Sequence, residues 1–156
     1  MKQESMGLKE YRSLKKGTKR RKSEESLQLA VCNYLKTCYP GIIFFCDMSS
    51  GMKMPIWMAA RNKKMKSSRG LPDLFVVEPK FAVENIFGSN FVCKHLGLFI
   101  ELKKEGTRLR TKDGYYANEH IEEQAVVLER LSKLGYKAEF ACGFDEAVKL
   151  IDNYMK

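Results

Sequence analysis

No apolar run among the 156 residues approaches the roughly 20 needed to cross a bilayer. The basic N-terminal stretch lacks the apolar core of a secretory signal, so none is expected. Cysteine is sparse and unpatterned. Cys32, Cys38, Cys46, Cys93 and Cys142 are odd in number and contain no CxxC, which points to reduced thiols in a cytoplasmic compartment. Cys93 with His95 is too little for a zinc site, and structural, buried thiols are the expectation. There is no internal repeat and no sign of a second folded domain. What remains is a chain with 44% hydrophobic residues, enough for one domain with a real core.

Acidic residues are missing from one long stretch. Between Met48 and Pro72 there is none, while Lys53, Arg61, Lys63, Lys64, Lys66 and Arg69 all fall there. The segment also carries Gly, Pro and Ser, so it reads as a long loop with one short helical turn. Loops of that length inside a domain are usually functional or disordered. A second basic run, "KKEGTRLRTK", contributes Lys104, Arg108 and Arg110. Two basic loops flanking one place suggest a groove for a polyanion. The net charge of +9 is concentrated at the N-terminus, where residues 1–22 hold nine Lys/Arg against two Glu. That basic tail, expected to be flexible, reads as an arm for phosphates; residues 23–156 form the domain.

Secondary structure is legible in outline. Ser23 is a plausible cap for "EESLQLAVCNYLKTC", whose Leu27, Val31, Tyr34, Leu35 and Cys38 recur at helical spacing. "GIIFFCD", "DLFVVE", "LGLFIELKK" and "KAEFAC" read as strands. Residues 79–96 read as an irregular connection. Helices are expected from about Asn118 to Leu134 and from Asp145 to Met155. The order α-β-β-β-α-β-α predicts a mixed sheet covered by helices.

The strand "LGLFIELKK" decides where chemistry can sit. Leu98, Ile100 and Leu102 point to one face, Phe99, Glu101 and Lys103 to the other. By itself, a Glu-x-Lys on a half-buried strand is an ordinary solvated ion pair. Asp73 changes that reading. Pro72 suits a strand's first residue because it donates no hydrogen bond. If the strands pair, Asp73 and Glu101 meet across them. Two carboxylates so placed repel unless a cation separates them, and Mg²⁺ takes carboxylate oxygens while keeping waters. Lys103 beside them could position or deprotonate a water and offset charge developing on a phosphate.

Two helices offer further groups. At about 100° per residue, Glu24 lies near the edge of the stripe of Leu27, Val31 and Leu35. Gln28 follows one turn on, whereas Glu25 points away. Glu24 is thus either a third acidic ligand or simply a carboxylate at a favourable helix N-terminus. Gln124 is polar on the apolar face of Ile121, Ala125, Leu128 and Leu131 and needs a partner, in the core or at the site near Lys103. His120 reads as a surface residue, because a catalytic histidine needs a placed partner.

Three stretches, "GLPDLFVV", "HLGLFIELKKEGTRL" and "EEQAVVLERLSKLGYKAEFACGFDEAVKLIDNYM", together resemble the VRR-NUC family of the PD-(D/E)xK nuclease superfamily, in its stand-alone viral or bacterial type. The resemblance runs from about Glu24 to the C-terminus. Pro72-Asp73 and Glu101-Leu102-Lys103 match the superfamily signature. Gly70, Gly97, Gln124 and "FDEAVKLI" match more family-specific parts. An acidic residue and a glutamine on the family's first helix match Glu24 and Gln28. One departure is "DMSSGMK", where Ser50-Gly51 stands without the Asn of a Ser-x-Asn-Gly-like loop, and the loop that follows is longer and more basic.

The resemblance implies a restriction-endonuclease-like α/β core, with a mixed central sheet flanked by helices. It implies Mg²⁺- or Mn²⁺-dependent hydrolysis of DNA phosphodiester bonds. Asp73, Glu101, Leu102 and Glu24 would hold the metal, Lys103 would orient the attacking water, and Gln28 and Gln124 would support them. A homodimer acting on branched DNA such as four-way (Holliday) junctions, in the cytoplasm of a bacterium or phage-infected host, is the expectation. The alternatives are a catalytically idle DNA-binding module and a nuclease of restriction or host-DNA degradation. Lys53, Lys63, Lys64, Lys66, Arg69, Lys104, Arg108 and Arg110 are the expected DNA contacts.

Overall fold

The computed structural model describes residues 7–14, 23–47, 55–68, 70–85 and 89–156. Part of the expected flexible tail is helical, at Leu8–Leu14 (α1). Its Tyr11 is buried edge-on against Tyr34, with ring centroids 5.1 Å apart, and Arg12 pairs with Asp145. The run "KKGTKRRK" lies outside the described residues.

Ser23 caps the next helix, Glu24–Cys38 (α2), by accepting the Ser26 N–H at 3.2 Å. The strand Phe44–Cys46 (β1) follows. The basic loop differs from expectation. Instead of one turn it contains a ten-residue helix, Ile56–Met65 (α3), with no buried residue. Hydrophobic periodicity signals a helix only where one face is buried, and this one has no such face. Leu74–Val76 (β2) comes next. Residues 79–96 are not irregular: Lys80–Asn85 (β3) and Ser89–His95 (β4) form an antiparallel ribbon separate from the main sheet. Then come Leu98–Lys103 (β5), Glu119–Lys133 (α4), Lys137–Cys142 (β6) and Phe144–Met155 (α5). Asn118 caps α4 through its side-chain oxygen, 2.9 Å from the Ile121 nitrogen.

The main sheet has the order β1-β2-β5-β6. Its first two pairings are antiparallel and the last is parallel, so the sheet is mixed as expected. On one face Leu74, Val76, Leu98, Ile100 and Leu102 pack with Val31, Tyr34 and Leu35 of α2 and Ala147, Val148 and Ile151 of α5. Each large aliphatic side chain sealed there contributes about 1.5–3 kcal/mol. Tyr34 and Tyr39 both donate to Asp152 Oδ1 at 2.7 Å, tying α2 to α5. α4 covers the other face, with Ala125 and Leu128 beside Ala138 and Phe140 of β6. Gly97 lets β4 pass into β5, since a Cβ there would lie 2.8 Å from the Phe75 ring and 2.9 Å from the Val76 carbonyl oxygen. No described helix is long and apolar enough to cross a membrane.

Candidate active site

Leu74 faces Ile100 and Phe75 faces Phe99 across the β2–β5 pair. One step further, the same register sets Asp73 opposite Glu101. Phe75 and Phe99 stack with centroids 4.2 Å apart, and period-two alternation puts Asp73, Glu101 and Lys103 on this same face. The apolar half of β5 therefore anchors the strand in the core, while its polar half stands beneath α4.

The five buried polar or charged side chains among the described residues are Gln28, Asp73, Glu101, Lys103 and Gln124, all between 3% and 8% exposed. They form one connected group. Gln28 Nε2 donates to Asp73 Oδ1 at 3.0 Å, and the Leu102 N–H donates to Asp73 Oδ2 at 2.9 Å. Gln124 Nε2 donates to Glu101 Oε1, which also lies 3.1 Å from Lys103 Nζ. Of the two readings of Gln124, its amide thus takes the one at the site. Gly70 makes room for it. A Cβ on Gly70 would stand 3.1 Å from Gln124 Cγ and 3.2 Å from its Cα and backbone nitrogen.

Burial, reinforced by the nearby charge of Asp73, pushes the Glu101 carboxyl up to about 8, and Lys103 only partly offsets this. Glu24 adds a smaller push in the same direction, so its charge reaches the site. Glu24 is half-buried and Glu25 exposed, as the helical angle predicted. Leu102 offers the site only its backbone, because its side chain lies in the core on the opposite face.

The group fits a hard divalent cation. Glu101 Oε2 is buried with no hydrogen-bond partner among the described residues, and the pair of opposed carboxylates disfavours its own double charge. Among the described residues no three His, Cys, Asp or Glu side chains form a metal cage. Mg²⁺ is commonly held by one or two carboxylates, with waters and substrate phosphates completing its shell.

The basic candidates differ in their surroundings. Lys63 and Lys64 stand exposed on α3, and Lys104 and Arg108 are exposed after β5. Lys66 is half-buried and already paired with Asp47. Arg110 folds over the Tyr116 ring at 4.3 Å and donates to the Gly114 carbonyl at 2.7 Å, so it shapes its own loop. Lys53, Arg69, Ser50 and Gly51 lie outside the described residues. His120 is exposed, as expected.

Sequence reasoning missed Asp47. Its N–H donates to the Asp73 carbonyl at 2.7 Å, which holds β1 against the site's strand. Its place at the end of "GIIFFCD", just before an acid-free basic stretch, was the one signal that pointed to it.

Among solved structures, a "VRR_NUC domain protein" is similar to this chain, with 25% identity and a TM-score of 0.55 over 88% of this chain and 91% of its own. No protein-family model matches the chain, and no curated protein does.

Proposed function

From the VRR-NUC nuclease fold of this chain, we propose a metal-dependent endodeoxyribonuclease that hydrolyses phosphodiester bonds in branched DNA such as four-way junctions. The observation that carries this reading is the convergence of Gln28, Asp73, Glu101, Lys103 and Gln124 around a buried, unpartnered carboxylate oxygen. A stable fold has no use for two opposed carboxylates sealed from water; a site for a cation and a phosphate does.

Asp73 and Glu101 would hold Mg²⁺ or Mn²⁺, with Glu24 and the Leu102 backbone carbonyl completing the protein ligands. The bound ion would supply Lewis acidity toward the phosphate and a water of lowered pKa. Gln28 and the Leu102 N–H fix both oxygens of Asp73. Gln124 and Lys103 fix Glu101 Oε1, so Oε2 would be the atom that holds the ion. The Lys103 ammonium is held beside this carboxylate, where it can orient the attacking water and offset charge gathering on the phosphoryl oxygens.

A homodimer would give one site for each of two strands. The exposed apolar row of Ile43, Phe45 and Val77 at the β1 edge supports this, since contiguous exposed apolar surface commonly marks an interface. The five free thiols support a reducing, cytoplasmic setting. The basic N-terminal run would add phosphate contacts.

The test is incubation with a labelled four-way junction and Mg²⁺ or Mn²⁺. Cleavage is expected, and Asp73→Ala should reduce it on the order of 10³-fold. No products from the wild type, or undiminished products from the variant, would sink the proposal. Binding without products would instead identify an idle binding module. Equal cutting of linear duplex would point to restriction or host-DNA degradation.

A further inference from the structure

A ten-residue helix with no buried residue is unusual, because isolated helices of that length are marginal in water. α3 is such a helix. Its sequence sets Trp57, Arg61 and Lys64 at positions i, i+4 and i+7, on one face. Trp57 is 63% exposed, although indole side chains are highly buried on average. No described residue pairs with Arg61, Lys63 or Lys64, and no acidic residue occurs from Met48 to Pro72. The C-terminal end of the helix is tied to the candidate site. Lys66 pairs with Asp47, whose N–H bonds the Asp73 carbonyl.

We propose that α3 reads an unstacked base of a branched or interrupted DNA, with Trp57 stacking on the base and Arg61 and Lys64 holding the phosphates around it. This rests on the nuclease reading and supplies its source of structure selectivity. A base inside an intact duplex has both ring faces covered. One at a junction, flap or gap offers a face to an indole, and such stacking tolerates any base. The charge of the face selects this occupant. A second copy of α3 would bring unneutralised cations against cations, whereas nucleic acid brings the missing negative charge. Trp57 precedes Lys66 by nine residues, about 14 Å along a helix axis, and Lys66 meets the site only through Asp47, so the stacked base would lie several nucleotides from the bond that is cut.

Trp57 is the sole tryptophan of the chain, so its fluorescence reports on this helix alone. The full chain is titrated in EDTA with a four-way junction, a gapped duplex and an intact duplex of equal length. Branched and gapped DNA should quench the emission, and intact duplex should leave it nearly unchanged. Trp57→Ala should weaken binding to branched DNA about tenfold or more, with less than about a twofold change for intact duplex, while Trp57→Phe should retain most of the affinity. Trp57 packs against no core, so both variants should keep the wild-type melting temperature. Unchanged emission at saturating branched DNA would overturn the proposal. So would equal losses on branched and intact DNA, or conversion of a dimer to a monomer by Trp57→Ala, which would make α3 a protein contact. A wild type that cuts DNA without any emission change would sink this proposal alone. A wild type that never cuts would sink the nuclease reading, while the metal-free titration still reports on α3.

Discussion

The candidate site and α3 are near neighbours in the chain and opposites in construction. Around Asp73 and Glu101, five polar side chains are nearly sealed from solvent and bonded to one another. None of the ten residues of α3 is buried. The first arrangement suits chemistry, because groups held in advance by their neighbours do not have to reorganise when a phosphate arrives. The second suits an irregular polyanion, because exposed cations and an exposed ring can adapt to strands of different path. The Lys66–Asp47 pair joins the two.

That contrast can be broken first at Gly70. Its φ of +76° and the nearness of Gln124 mean that Gly70→Ala should strain the backbone and also displace the amide that fixes Glu101. Cleavage per folded molecule should fall about tenfold or more, as when other groups that orient ligands are removed. Gly41→Ala is the control. It shares a positive φ of +90° but has nothing within 4 Å, so it should lower the melting temperature similarly and spare activity. Equal activity losses in the two variants would show that strain alone matters.

Next comes the proton on Glu101. Its folded value of about 8 stands above the unfolded value of about 4.3, so the folded protein holds a proton that the unfolded chain has released. This contribution to stability is complete below about pH 4.3 and is lost as pH rises toward 8. In EDTA, the wild type should lose stability between pH 5 and 8 relative to Glu101→Gln, as read by thermal melts. Mg²⁺ or Mn²⁺ should reverse the trend, because the ion binds the charged carboxylate. A parallel pH response in the two proteins would contradict the burial argument.

The smallest effect belongs to α3. Replacing Arg61, Lys63 and Lys64 with Gln should leave the melting temperature unchanged. For every phosphate that these cations neutralise, the substitution should flatten the salt dependence of DNA affinity by about 0.9 in log–log slope. An unchanged slope would make these cations bystanders.

Much of the site was legible because one strand states it. The alternation of Leu98 to Lys103 separates the core face from the polar face, and Pro72 marks where Asp73 enters. Gln124 stood out as a polar group on an apolar helical face and Gln28 as the residue one turn on from Glu24, and both hydrogen-bond a site carboxylate. Two regions were misread for want of a signal. No residue of α3 is buried, and the β3–β4 ribbon pairs with itself and not with the main sheet. Tyr11 was hidden in a basic run, and its place against Tyr34 and Phe144 depends on helices far away in sequence.

By itself, the sequence determined the helices α2, α4 and α5, the strands β2, β5 and β6, and the face of β5 on which charge would stand. Those follow from local periodicity and capping, which depend on residues only a few positions apart. Only the tertiary structure decided that Asp73 is held by Gln28 and Leu102, that Gln124 holds Glu101, and that Oε2 of Glu101 is left for another partner. Those outcomes depend on how strands and helices distant in sequence come into register, and the charge state of Glu101 depends on the burial that results.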